Sequence, residues 1–135
     1  MTPEEAIYSK LVAATAINAL VVGRVLPDYL PQGTALPALL YQRISGPRVH
    51  SMTGASGTAY PRITITSWGK TYKKAKELAD LVRRELDGFK GTVDTLYIQS
   101  CLLQDERDVP EIAPQDDALR RFGIAQDYII WHDET

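Results

Sequence analysis

Residues 60–86, YPRITITSWGKTYKKAKELADLVRREL, change their apolar period once, and that change restricts the chain to folds that lay a helix on a sheet. Ile63 and Ile65 share one side of an alternating run, with Arg62, Thr64 and Thr66 on the other. Trp68-Gly69-Lys70-Thr71 then turns the chain. Thr71 stands where a helix is capped, and Ala75, Leu78, Ala79, Val82 and Leu86 follow as one apolar stripe. Burying that stripe on Ile63 and Ile65 is worth about 1.5–3 kcal/mol per aliphatic side chain. These seven residues are the expected core, and the expected role of the unit is scaffold.

Upstream, Thr2-Pro3-Glu4-Glu5 opens a helix: threonine caps, proline is tolerated at the first position, and the acids meet the positive end. Apolar spacing predicts that helix over residues 3–20, with Gly23 near its end. Three prolines make 24–37 an irregular connector, and 38–45 reads as a strand with Leu39, Tyr41 and Arg43 on one side. Glycine, serine and threonine without a period make 46–60 a long loop. Residues 93–104 read as a third strand, 105–117 as an acidic, proline-broken loop, and 119–132 as a final strand alternating Phe122, Ile124, Gln126, Tyr128 and Ile130.

The expected fold is therefore α+β, in the order α-β-β-α-β-β. It is a four-stranded, largely antiparallel sheet with two helices packed on one face and the other face left to water or a partner. At 135 residues and 15.0 kDa this is one expected domain, spanning residues 1–135.

Charge limits the partners. Fifteen basic against 17 acidic side chains give a formal net charge of -2, which argues against a surface built to coat DNA. The single cysteine, Cys101, excludes an intrachain disulfide. The N-terminus carries acids rather than a basic leader, and the uncharged run 11–23 falls short of the about 20 residues that span a bilayer. The expectation is a chain made in the cytoplasm, with no membrane partner.

No catalytic motif emerges. Gly69-Lys70-Thr71 echoes a phosphate-binding loop, but the position five before Gly69 is Thr64, inside a strand, so the glycine nest is missing. His50, His132 and Cys101 lack metal-ligand spacing, and no cofactor or metal is expected. Cys101 or Ser67 with a histidine and an aspartate can be written as a triad, but no nucleophile-elbow motif accompanies them. The acids at Asp105, Glu106, Asp108, Glu111, Asp116 and Asp117 lack EF-hand spacing, leaving a solvated loop or a docking surface.

Taken in order, the N-terminal helix, GRVLPDYLPQGTALPALLYQRISG, RITITSWGKTYKKAKELADLVRREL, FKG and the terminal IIWH resemble the tail-completion or tail-terminator proteins of long-tailed phages and prophages. The matching features include Leu36-Pro37-Ala38-Leu39 before Tyr41, Tyr72 with Ala75, Ala79 and Leu86, and Glu106-Arg107-Asp108. The resemblance implies a non-enzymatic minor tail protein. Its subunits form a hexameric ring that caps the head-proximal end of the tail tube, ends tube polymerisation and offers a docking surface to the head connector. Implied partners are further copies of the chain, the tail tube protein, a head-completion or connector protein, and phage DNA passing through the lumen without specific binding. The implied location is the host cytoplasm during assembly, then the virion at the head–tail junction.

On that resemblance, His50, Met52, Trp68, Asp105, Glu106, Arg107 and Asp108 are candidates for the tube or connector interface, and Arg43, Arg48, Arg62 and Lys70 for basic lumen-facing positions. The competing readings are a head-completion (neck) protein, a small enzyme using Cys101 or Ser67, and a host-side regulatory module.

Overall fold

The structure, a computed structural model, describes residues 2–28, 35–46, 48–51, 54–109 and 121–133. Thr2 caps α1 (Pro3–Ala13), its side chain accepting the Glu5 N–H at 3.2 Å. The helix stops at Ala14, whose ψ of 112° is extended, and α2 (Thr15–Val21) starts afresh. The single helix expected over 3–20 is thus two. The break directs α2 against α3 and β2, so Ile17 and Val21 reach the same core that Ile7 and Leu11 reach from α1. No glycine or proline marks it in the sequence.

The remaining elements are β1 (Val25–Pro27), β2 (Ala38–Ser45), β3 (Arg48–Ser51), β4 (Gly54–Ala59), β5 (Arg62–Gly69), α3 (Tyr72–Leu86), β6 (Phe89–Val93), β7 (Leu96–Val109) and β8 (Phe122–Asp133). The main sheet runs β1-β2-β5-β8-β7-β6; β1 lies parallel to β2 and the other pairs are antiparallel. The β3–β4 hairpin joins the C-terminal end of β8 through Thr58 opposite Asp133 and Ala59 opposite His132.

This overturns the four-stranded, two-helix expectation. Among the described residues there are eight strands in one mixed sheet and three helices. The 46–60 loop holds β3 and β4, the connector holds β1, the third strand is the hairpin β6–β7, and β7 runs on through Asp105–Val109 where an acidic loop was expected. The missed strands are fixed by pairing rather than by their own alternation: β1 on β2, β3 and β6 each on the next strand of a hairpin, and β4 and β7 also on the distant β8.

The sheet is curled. α1 touches both β2 and β6, which are separated by β5, β8 and β7. In a flat sheet with about 4.8 Å between strands they would lie about 19 Å apart, beyond the reach of a helix about 10 Å wide. The sheet therefore wraps the helices as a half-barrel. Lys10 ties the seam: its Nζ lies 2.9 Å from Glu85 Oε1 on α3 and 3.8 Å from the ring centre of Phe89 on β6.

Ile63, Ile65, Ala75, Leu78, Ala79, Val82 and Leu86 are all buried between sheet and helices. Tyr128 is fully buried among them, and burial raises its hydroxyl above the ordinary tyrosine value. That hydroxyl donates to Gln126 Oε1 at 3.1 Å, while Gln126 Nε2 donates to the Ala79 carbonyl at 3.1 Å. The Gly69-Lys70-Thr71 turn is structural. A Cβ on Gly69 would sit 2.8 Å from the Ala75 backbone nitrogen, so only glycine lets β5 pass this close to α3. Thr71 then caps the helix, accepting the Lys74 N–H at 3.2 Å.

Candidate assembly surfaces

The far face of the sheet, away from the helices, is not the open surface expected. Thr64, Thr66 and Asp127 are 5–7% exposed. Asp127 is the hub of a cross-strand network. It accepts from Thr64 Oγ1 at 2.6 Å on β5, from Arg62 Nη2 at 3.0 Å on β5 and from Arg107 Nη1 at 2.9 Å on β7. Burial alone would raise its carboxyl; the bonds from Thr64, Arg107 and Arg62 outweigh burial and hold it below the ordinary value. The residues joined are 20 to 65 positions apart, so the sequence reading missed the hub. Its one signal was a carboxylate in mid-strand at the parity of Ala125 and Ile129.

Next to it, Trp68 is 8% exposed and packs with Ala38, Leu26, Leu36, Leu40 and Val109. It lies flat over Gly123: a Cβ there would meet the indole ring at 2.9 Å. Trp68 shares the strand parity of Arg62, Thr64 and Thr66, and this small far-face cluster is what accommodates it.

The interface candidates do not form one patch. Asp105, Glu106, Arg107 and Asp108 lie in β7, not in a loop, and alternate between faces. Arg107 joins the far-face hub, and Asp105 Oδ2 lies 3.9 Å from it. Glu106 turns to the helix side, accepting from Gln126 Nε2 at 3.3 Å with Lys76 Nζ at 3.7 Å, and Asp108 accepts from the Tyr72 hydroxyl at 3.1 Å. His50 lies in β3, and Met52 falls outside the described residues. The lumen candidates are equally dispersed. Arg62 is on the far face; Arg43 is on the helix side, with its Nε 3.5 Å from Glu4 Oε1; Lys70 is on the turn before α3; Arg48 lies in β3.

Two unbalanced surfaces remain. Between α1 and β2 a cleft of about 330 Å³ is lined by Glu5, Tyr8, Ser9 and Tyr41. An adjoining hollow of about 380 Å³ shares Tyr41 and adds Glu4 and Asp28. The Tyr8 and Tyr41 rings are 6.3 Å apart and tilted by 53°, with Tyr8 40% exposed. Partial burial raises the Tyr41 hydroxyl above its ordinary value, and Tyr8, Asp28, Glu4 and Glu5 push the same way. The second surface is the turn into α3, where Lys70, Lys73 and Lys74 are exposed and make no ion pair among the described residues. The first turn of α3 carries no acid, so these ammonium groups stand at the positive helix end uncompensated.

The groups weighed for catalysis are placed as packing residues. Cys101 is fully buried, and burial pushes its thiol up to about 12, leaving essentially no thiolate nucleophile at neutral pH. Ser67 is fully buried and its Oγ has no hydrogen-bond partner among the described residues. His132, near the end of β8, is only 6% exposed. Among the described residues no three His, Cys, Asp or Glu side chains converge as a metal site, and no helix is long and apolar enough to cross a membrane.

The family of tail completion protein gp17 matches residues 5–133, and the chain belongs to that family: it is a structural protein of phage tail assembly. Among solved structures it is similar to a chain of the virion of a native gene transfer agent particle. The TM-score is 0.74 and the identity 17%, with 97% of this chain and 94% of that chain covered, a likeness of fold. No curated protein sequence matches it.

Proposed function

We propose that the chain acts as one domain, residues 1–135, that assembles into a closed hexameric ring on the head-proximal end of the tail tube. There it ends tube polymerisation and presents the surface on which the head connector docks. The observation that carries this reading is the family match over residues 5–133. The gene transfer agent chain of like fold comes from a virion particle, which accords with a place in a multi-subunit assembly. A closed ring requires a heterologous contact between two different faces of one subunit, and the acidic cleft and the lysine turn offer two such faces.

The β3–β4 hairpin, attached to β8 by two residue pairs, is the proposed contact to the tube. The far face is the proposed channel lining. Arg62 and Arg107 both pair with Asp127 there, so DNA meets few unneutralised cations and slides instead of binding. The subunit would assemble in the host cytoplasm and end in the virion.

Light scattering of the purified chain, alone and with tail tubes, followed by electron microscopy, tests the reading. Rings alone, or rings formed at one end of the tubes with elongation stopped, are the expected result. A monomer that leaves the tubes unchanged, or rings that ignore them, would overturn it.

A further inference from the structure

We propose that the aromatic, acidic cleft between α1 and β2 receives the lysine turn of a second copy, residues Lys70, Lys73 and Lys74, as the head-to-tail contact that closes the ring. The proposal deepens the ring reading above and rests on it.

The cleft has the chemistry of a cation site. Tyr8 and Tyr41 present two tilted rings, and a lysine or arginine head within about 6 Å of a ring centre is attracted to its face. Glu5 lines the same cleft, and Glu4 and Asp28 line the hollow beside it. Arg43 Nε, 3.5 Å from Glu4 Oε1, compensates one of these carboxylates on the cleft's rim. The occupant is argued from charge complementarity. Lys70, Lys73 and Lys74 are exposed, lack an ion pair among the described residues and crowd the positive end of α3, an arrangement unfavourable within one copy. An anionic partner removes that penalty.

The topology places the two surfaces correctly for a head-to-tail contact. Ala38 of β2 lies opposite Trp68, at the lysine-turn end of the sheet, and Tyr41 of the cleft lies opposite Ile65, farther from that end. Tyr41 is three positions along the strand from Ala38, or about 10 Å, and the lysines lie beyond Trp68. That exceeds the screening length of about 8 Å at physiological salt, so the lysines and the cleft do not neutralise each other within a subunit.

Two variants and their mixture test the contact. Lys73→Glu with Lys74→Glu places acids where the helix end favours them, so the monomer should melt at the same or a higher temperature. The concentration needed for half assembly should nevertheless rise about tenfold or more, the size of effect that about 1.4 kcal/mol per contact produces. Glu5→Lys should weaken assembly similarly. Mixed one to one, the two failing chains should assemble together, because each reversed cleft then faces an unlike turn. Wild-type rings joined by variants that assemble equally well, or a mixture no better than its components, would overturn the contact and leave the ring standing. A wild-type chain that forms no ring, alone or on tubes, would instead sink the ring reading and this contact with it.

Discussion

The two faces of the half-barrel are held by different physics. On the helix side, Ile7, Leu11, Ile63, Leu78, Val82 and Ile130 fill one continuous aliphatic core. Such packing is nondirectional, and its strength is spread over many contacts. On the far side a tryptophan seated on a glycine within a small apolar cluster stands beside a single carboxylate held by three donors. Stability there is directional and concentrated in a few atoms. The helix side tolerates substitutions that conserve volume, whereas the far side depends on particular groups. A surface held by paired charges stays polar and ordered without a covering helix.

The largest effect expected is on the helix side. Leu78→Ala should cost about 2–5 kcal/mol in urea unfolding, since Leu78 is fully buried on α3, which packs against β5, β8, β7 and α2, and these elements cannot all collapse onto the void. A loss below 1 kcal/mol would mean that the core is looser than its burial implies. On the far side, Gly123→Ala should cost about 1–3 kcal/mol, because the new methyl meets the Trp68 ring at 2.9 Å. The cost should nearly vanish in a Trp68→Ala background. An equal penalty in both backgrounds would show that backbone freedom at Gly123, rather than the tryptophan, sets it.

What the sequence reveals follows the same division. Helix-side elements announce themselves because burial on one face writes a local period: the alternation at Ile63 and Ile65 and the stripe from Ala75 to Leu86 each lie within one element, at β5 and α3. The far side and the strand edges do not. The run Gly54–Ala59, GASGTA, has no alternation to read and becomes β4 by pairing with β3 and the end of β8. Asp105–Asp108 reads as solvated acid and becomes strand because β8 lies alongside, from Asp127 back to Ile124. The Asp127 hub joins residues on three strands, and charge spacing along one segment carries no trace of that. The two unbalanced surfaces differ in the same way: Lys70, Lys73 and Lys74 stand close together in the chain at the start of α3, but the cleft exists only once Tyr8 and Tyr41 meet across 33 positions of chain.

The smallest expected effect is the most diagnostic, because it carries a pH signature that aliphatic packing cannot produce. In the folded chain the Asp127 carboxyl sits below its ordinary value. The unfolded chain therefore binds the proton more readily, and stability from this group is fully present above the unfolded carboxylate range near pH ~4. It is lost as pH falls through the depressed folded value. Asp127→Asn should cost about 1–2 kcal/mol at neutral pH, at the low end for charged hydrogen bonds because Arg62 and Arg107 are 38% and 48% exposed and water screens them. The difference between wild type and variant should shrink steadily as the pH is lowered below ~4, whereas the deficit of Leu78→Ala should stay constant across the same range. An Asp127→Asn deficit that persists unchanged in acid would place the far face under the same nondirectional packing as the helix side and erase the distinction between them.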